Sequence, residues 1–262
     1  MLASLLTCRL DLSLPTDGSR YTSRSQIARV TTENWALRNF YCASCGAGLT
    51  SYPTNTPLYD FHSPECRERF QLKASKSKFV TSVLDSEYHT ALNGIMKNAY
   101  PSLILLHYDP GRWAVTDLEL VHRACITTSS LVRHRPLGPN AQRKGWEGCS
   151  ISLGNIPALG RIEVIRDGSV RAKTAVLEQW KQSNRLLNTE PQARGWVNDV
   201  LRCVEKLYWT FTNENVYSFE RELARLHPQN HYIRPKIRQQ LQVLCKLGLI
   251  ERTSPGTYMR LR

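Results

Sequence analysis

Three cysteines between residues 41 and 78 constrain the fold most, because they have the spacing of a metal-binding knuckle. Cys42 and Cys45 are separated by two residues, and Cys66 follows later in the chain. Thiolates at this spacing share one metal ion, since the turn between them aims both sulfur atoms inward. The pattern predicts a structural Zn²⁺ that braces a loop. The alternative is three reduced thiols packed in a loop without metal.

The fourth ligand of this zinc site has to come from a residue other than the three cysteines. A closed structural zinc site has four ligands. His62 lies four residues before Cys66 and is the predicted fourth ligand. Ser63 stands where a second Cys-x2-Cys pair would be completed, and a serine hydroxyl is a poor zinc ligand.

The charge of the chain indicates a polyanionic partner. The 262 residues carry a formal net charge of +13, which favours nucleic acid over a merely basic soluble protein. No acid occurs between Glu119 and Glu147, and the cations Arg143 and Lys144 lie in that stretch. No apolar run reaches the roughly 18 residues of a membrane span, and no clear secretory signal opens the chain. We therefore expect an intracellular protein without a membrane partner. A monomer is expected, although the sequence leaves the oligomeric state open.

Hydrophobic periodicity divides the chain into a leader (1–25), an α/β domain (26–185) and a C-terminal domain (186–262), with a linker near 183–195. Apolar spacing predicts a helix from about Thr32 and helices over 83–99 and 174–187. Strands are expected at 58–61, 69–73, 102–108, 113–121 and 161–165.

The C-terminal domain has the order of a winged helix-turn-helix. Helices are predicted at 196–207, 216–226 and 233–247, and two short strands follow at 249–253 and 257–261. In such modules the third helix docks in the major groove, where arginine pairs with guanine and glutamine with adenine. The alternative is an ordinary solvated helix face. The predicted DNA-reading residues of this helix are Arg234, Lys236, Arg238, Gln239 and Gln240.

An acid and a Gln-x-Lys triplet suggest phosphodiester chemistry. Asp60 precedes the alternating strand that holds Gln71 and Lys73, so the three side chains are expected to share one face of a hairpin. Nucleases combine a carboxylate-held divalent cation with a cationic side chain, because charge builds up in the transition state. Taken alone the pattern is weak, and a solvated hairpin is the alternative. The basic stretch, the cysteines and the C-terminal module favour the catalytic interpretation.

Trp146 is a further candidate for contact with DNA. It lies between Gly145 and Gly148 and directly follows the Arg143–Lys144 pair. An aromatic ring on a basic loop can stack on a base, which contributes roughly 1–3 kcal/mol. The alternative is a core tryptophan.

The chain resembles the DpnI-like methyl-directed restriction endonucleases, the family of Dam-replacing proteins, from about Ala28 to its C-terminus. The resemblance rests on T-E-N-W (32–35), Y-C-x2-C-G (41–46), D-F…C…F-Q-L-K (60–73), R-P-L-x-P-x-A-x-R-x-G-W-x-G-C (135–149), G-R-I (160–162), R-G-W (194–196) and K-I-R-Q-Q-L-Q-x-L (236–244).

This resemblance implies a PD-(D/E)xK nuclease domain with a zinc-bound loop and a C-terminal winged helix. It also implies a prokaryotic, cytoplasmic enzyme that uses Mg²⁺ to cleave double-stranded GATC sites carrying N6-methyladenine. Asp60 would bind the metal, Lys73 would be the lysine of the motif, and Glu33 would lie on the first helix near the site. Trp146 would sense the methylated base.

Two positions depart from the family pattern. Gln71 stands where the family usually has glutamate, and its amide oxygen can still bind Mg²⁺. Ser63 replaces the fourth zinc cysteine. Besides a type II endonuclease, two functions therefore stay open: a methylated-DNA-binding protein with a weakened or inactive nuclease site, and a transcription regulator built on the winged helix.

Overall fold

A computed structural model describes residues 10–12, 22–54 and 56–261. The helices are α1 (Arg24–Asn39), α2 (Tyr88–Met96), α3 (Lys173–Asn184), α4 (Pro191–Glu205), α5 (Asn213–Tyr217), α6 (Glu220–Leu226) and α7 (Ile233–Lys246). The strands are β1 (Thr50–Ser51), β2 (Phe61–His62), β3 (Arg69–Ser75), β4 (Ser82–Glu87), β5 (Ser102–Asp109), β6 (Ala114–Val121), β7 (Leu131–Arg133), β8 (Gly148–Ser152), β9 (Arg161–Arg166), β10 (Ser169–Val170), β11 (Thr210–Thr212), β12 (Ile250–Ser254) and β13 (Thr257–Arg260).

The described chain forms two compact units. The first contains the described residues up to Val80 together with 101–121 and 162–180. The second contains 81–100, 122–161 and the chain from Lys181 onward. The second unit therefore combines the C-terminal residues with residues 81–100 and 122–161, which we had predicted to belong to the α/β domain. Within the described residues, no helix is both long and apolar enough to span a bilayer.

A seven-stranded sheet organises the first unit, in the order β1-β2-β3-β5-β6-β9-β10. β2 and β3 form the predicted hairpin, with Phe61 opposite Phe70, and β3 runs parallel to β5. Ile104 and Leu118 are fully buried in one hydrophobic core with Phe70. Because side chains alternate along a strand, Gln71 and Lys73 lie on the face of β3 opposite Phe70.

The first helix begins earlier than predicted. It starts at Arg24, whereas we expected a start near Thr32. Thr32 does not cap the helix, because its hydroxyl donates to the Ala28 carbonyl oxygen at 2.8 Å, one turn back. Of the predicted leader, residues 1–9 and 13–21 lie outside the described residues, while Leu12 is buried and donates its backbone N–H to Trp113.

Two other expected elements are wrong in part. Residues 58–60 do not belong to β2, because Leu58 has a φ of 66° and so interrupts the extended backbone. Residues 82–87 form β4 instead of the first turns of a helix. Glu87 explains where that helix starts, since its carboxylate caps α2 by accepting the N–H groups of His89 and Thr90.

The second unit contains two three-stranded sheets and the predicted C-terminal helices. One sheet has the order β4-β8-β7, and the other has the order β11-β13-β12. The β12–β13 hairpin follows α7, as predicted. The expected linker is wrong in part, because Pro191 is the first residue of α4, a position at which its missing N–H costs nothing. The second predicted helix is divided into α5 and α6, and β11 was not predicted.

Candidate active site

Asp60 is fixed onto β3 by two hydrogen bonds. Its backbone N–H donates to the Phe70 carbonyl oxygen at 3.0 Å. One carboxylate oxygen, Oδ2, accepts the backbone N–H of Leu72 at 2.7 Å. Both bonds flank Gln71, so the acid is held beside the Gln-x-Lys triplet. Asp60 therefore lies beside this triplet, as expected, but it directly precedes β2 and does not belong to that strand. That the three side chains share one face stays a prediction.

Gln71 offers an acceptor that the described protein does not use. Its Oε1 atom is buried, and among the described residues it has no hydrogen-bond partner. A buried amide oxygen without a partner costs roughly 1–3 kcal/mol of folding free energy. In folded proteins such an atom is usually satisfied by another polar group, by water or by a bound ion.

Asp60 lies in an electrostatic cluster. Burial raises the pKa of Asp60 above its usual value, and repulsion from Glu33 acts in the same direction. The Leu72 N–H and the charge of Lys73 oppose this rise in pKa. Ionising Asp60 therefore costs the folded protein free energy, which a bound cation would recover.

The first helix contributes one charge that we predicted and one that we missed. Glu33 is about one-third exposed and accepts a hydrogen bond from the Arg29 guanidinium at 2.8 Å. Arg29 also lowers the pKa of Asp60. The helix therefore places one carboxylate and one guanidinium cation, one turn apart, within electrostatic range of Asp60.

A further acid shares the row of Lys73 across the sheet. The strand registers pair Lys73 with Leu105, and Leu105 with Glu119 on β6. Residues paired in this way project from the same face. The alternation of side chains along β6 shows which face Glu119 lies on, but it relates Glu119 to Lys73 only once the order of the strands is known. Sequence reasoning therefore missed Glu119.

The donor set fits a hard divalent cation. Mg²⁺ prefers oxygen ligands from carboxylates and amides. Asp60 keeps a second carboxylate oxygen beyond the one bound to Leu72, and Gln71 has its unsatisfied Oε1. These two oxygen atoms match the ligand type that Mg²⁺ prefers, and Lys73 follows two residues after Gln71 on β3.

The three predicted cysteines meet in the first unit. The sulfur atoms of Cys42, Cys45 and Cys66 all lie within 4.8 Å of one another, and those of Cys42 and Cys66 are 3.5 Å apart. Gly46 closes the knuckle with a φ of 81° and donates its N–H to the Cys42 carbonyl oxygen. This conformation suits glycine, and the resulting cluster is able to bind zinc.

The structure brings Ser63, and not His62, to the cysteines. The Ser63 hydroxyl is buried, lies 3.2 Å from the Cys45 sulfur and accepts the Cys66 N–H at 3.3 Å. The His62 ring packs on Tyr52, with 4.7 Å between ring centroids. Within the described ranges, His62 is not one of the side chains whose ligand atoms form the cluster.

The thiols differ in how readily they ionise. Burial raises the pKa of Cys42 to about 12. Burial also acts to raise the pKa of Cys45, but hydrogen bonding from Ser63 and from the Ala47 backbone more than offsets it, so this pKa falls below its usual value. Ser63 therefore favours the thiolate form of Cys45, the form that binds metal.

Trp146 lies in a tight turn of the second unit. Gly145 has a φ of 77° and donates its N–H to the Leu137 carbonyl oxygen, and Leu137 in turn donates to that of Trp146. The Trp146 side chain is half-buried, whereas Arg143 and Lys144 are exposed. Trp146 is thus neither buried in the core nor fully exposed to solvent, and it lies on a basic loop.

The predicted residues of α7 do not all face outward. Gln240 is only 3% exposed and packs with the core side of the helix, so its assignment as a DNA-reading residue is wrong. Lys236 is half-buried, 6.0 Å from the Trp196 ring centroid. Arg234 is exposed and paired with Glu220 at 2.8 Å. The exposed residues that recur at helical spacing are Pro235, Arg238, Gln239 and Gln242.

Two family models match this chain. One, described as the Dam-replacing family, matches residues 7–189. The other, described as the Dam-replacing HTH domain, matches residues 192–260. Together they cover nearly the whole chain, and the second match includes α5, α6, α7 and the β12–β13 hairpin.

Proposed function

Because the chain belongs to the Dam-replacing family, we propose that it is a type II methyl-directed restriction endonuclease. Its substrate is double-stranded DNA with N6-methyladenine in a GATC-like site, and its reaction is hydrolysis of the phosphodiester backbone. The observation that carries this proposal is the buried Oε1 of Gln71, which has no partner among the described residues, beside the desolvated carboxylate of Asp60.

In this proposal the Asp60 carboxylate and the Gln71 amide oxygen hold Mg²⁺. When bound, this ion stabilises the negative charge that develops on the phosphate and lowers the pKa of water. Lys73 contributes a second positive charge on the same face of β3 and orients the attacking water. Glu33, already within electrostatic range of Asp60, supplies part of the negative charge that Gln71 lacks.

DNA reading is assigned to two places. Trp146 covers the N6-methyl group, because the methyl adds apolar area that an aromatic ring can remove from water. Arg143 and Lys144 contact the phosphate backbone. On α7, the exposed Arg238 and Gln239 enter the major groove, while Lys236 supports them from its half-buried position.

The cysteine cluster is proposed to hold a structural Zn²⁺. Cys42, Cys45 and Cys66 are three of its ligands. Ser63 orients Cys45 from outside the coordination shell, as hydrogen-bonded partners of metal ligands commonly do. The ion fixes the loop that precedes β2 and the turn that leads into β3.

Plasmid cleavage tests the proposed function. The protein is incubated with Mg²⁺ and plasmid that carries or lacks adenine methylation, and linear product is measured. We expect cutting of the methylated plasmid alone. Lys73→Ala should lower the rate by about 10²–10³ and leave DNA binding intact.

The outcomes separate the alternatives. Binding without cleavage at high protein concentration would identify an inactive methyl-DNA-binding protein. Equal cutting of both plasmids would exclude methyl direction. Unchanged cutting by Lys73→Ala would place the active site elsewhere.

A further inference from the structure

Gly148, the first residue of β8, supports the ring of Trp146. A β-carbon added at Gly148 would lie only 2.7 Å from Cη2 and from Cζ3 of that ring. Carbon atoms in contact are normally about 3.5–4.0 Å apart. The ring therefore rests on the backbone of β8, where any side chain would exclude it.

A second ring, that of His134, is fixed beside Gly148 and limits the space open to the Trp146 ring. His134 donates its backbone N–H to the Gly148 carbonyl oxygen at 2.9 Å. Its ring is within 3.1 Å of the Ser150 hydroxyl through Nε2, next along the same strand. The imidazole is thus fixed beside Gly148, with Nδ1 3.6 Å from the added β-carbon.

From this packing we propose that Gly148 is a specificity-determining position, which sets the orientation of Trp146 for contact with the methylated base. The inference rests on the proposed function. With the outer end of its six-membered ring against Gly148, the indole is held in one orientation, and its remaining surface is available to DNA. A ring held in one orientation loses less entropy on binding than a freely rotating one, so the support increases discrimination between methylated and unmethylated sites.

The backbone permits a clean substitution. The φ of Gly148 lies outside the left-handed region that disfavours other residues, and the obstructing atoms are at the end of one side chain. Gly148→Ala should therefore displace the Trp146 ring without disturbing β8. Gly138→Ala is the matched control in the same loop, because its β-carbon would meet no atom of the described residues within 4 Å.

The test compares dissociation constants for two duplexes that differ only in N6-methylation, measured with Ca²⁺ to prevent cutting. The ratio of the unmethylated to the methylated constant should fall roughly five- to tenfold in Gly148→Ala and stay at the wild-type value in Gly138→Ala. Trp146→Ala should lower the ratio at least as far. In the double variant Gly148→Ala/Trp146→Ala the ratio should be no lower than in Trp146→Ala alone, because both changes act on one contact.

Several results would overturn the inference. An unchanged ratio in Gly148→Ala, or losses that add in the double variant, would show that Gly148 does not act through the ring. If Gly148→Ala does not fold, a folded double variant supports the steric contact and an unfolded one contradicts it. A wild type that binds both duplexes equally would refute the proposed function itself, whereas a discriminating wild type with an unaffected Gly148→Ala would refute only this inference.

Discussion

The Asp60 site and the cysteine cluster each hold a neutral oxygen at a position where the resemblance to the Dam-replacing family implies an anionic ligand. In the Asp60 site this is Oε1 of Gln71, which is buried and without a partner among the described residues. In the cluster it is the Ser63 hydroxyl, which already contacts the Cys45 sulfur and the Cys66 N–H.

This difference shows that the same kind of replacement has two physical outcomes. Ser63 is satisfied by the protein itself, so its role is complete before any metal binds. Gln71 is unsatisfied, and the desolvated Asp60 beside it adds to the cost. If Asp60 and Gln71 hold a cation as proposed, binding of that cation would offset both costs.

The largest expected effect comes from breaking the cysteine cluster. Cys66→Ala removes a proposed thiolate ligand and should abolish zinc binding, with a loss of unfolding free energy on the order of 3–5 kcal/mol. Zinc content by mass spectrometry and thermal denaturation measure both quantities. Cys245→Ala is the control, since Cys245 lies outside the cluster. Equal zinc content in wild type and Cys66→Ala would contradict the assignment.

An intermediate effect is expected at Gln71. Gln71→Glu restores a carboxylate and should increase the cleavage rate at limiting Mg²⁺ by about tenfold, because a full charge binds the ion more tightly. Gln71→Leu removes the oxygen and should reduce cleavage by about 10² or more. Rates over a Mg²⁺ titration distinguish the two. Wild-type activity in Gln71→Leu would show that Oε1 is not a ligand.

The smallest effect is expected at Ser63. Ser63→Ala deletes hydrogen bonds to the cluster but no proposed ligand, so zinc stoichiometry should be retained while affinity falls about tenfold. Competition with a zinc chelator gives the affinity. Complete loss of zinc would instead make Ser63 a ligand and remove the contrast with Gln71.

Local spacing predicted the parts of these sites that depend on neighbours in the chain. The Cys42–Cys45 knuckle, the β2–β3 hairpin and the placing of Asp60 beside Gln71 all follow from short-range patterns. His62 was misassigned because it is the last residue of β2 and packs on Tyr52. Only the folded turn that begins at Ser63 shows that this residue faces the sulfur atoms.

Features that depend on the order of strands or on packing were not accessible from the sequence. Glu119 joins the row of Lys73 only through the register of β5 and β6. Gln240 was assigned to the DNA-reading face of α7, yet the helix packing buries it. Glycine at position 148 is unremarkable in the sequence, and its contact with Trp146 depends on a turn closed by backbone hydrogen bonds.

Single-turnover cleavage of one short duplex tests the central claim most directly. The duplex contains a single GATC site, with or without N6-methyladenine, and is mixed with excess protein and Mg²⁺. We predict cutting of the methylated duplex at a rate at least about 10² above that of the unmethylated one. Equal rates for the two duplexes, or no cleavage of either, would contradict the account.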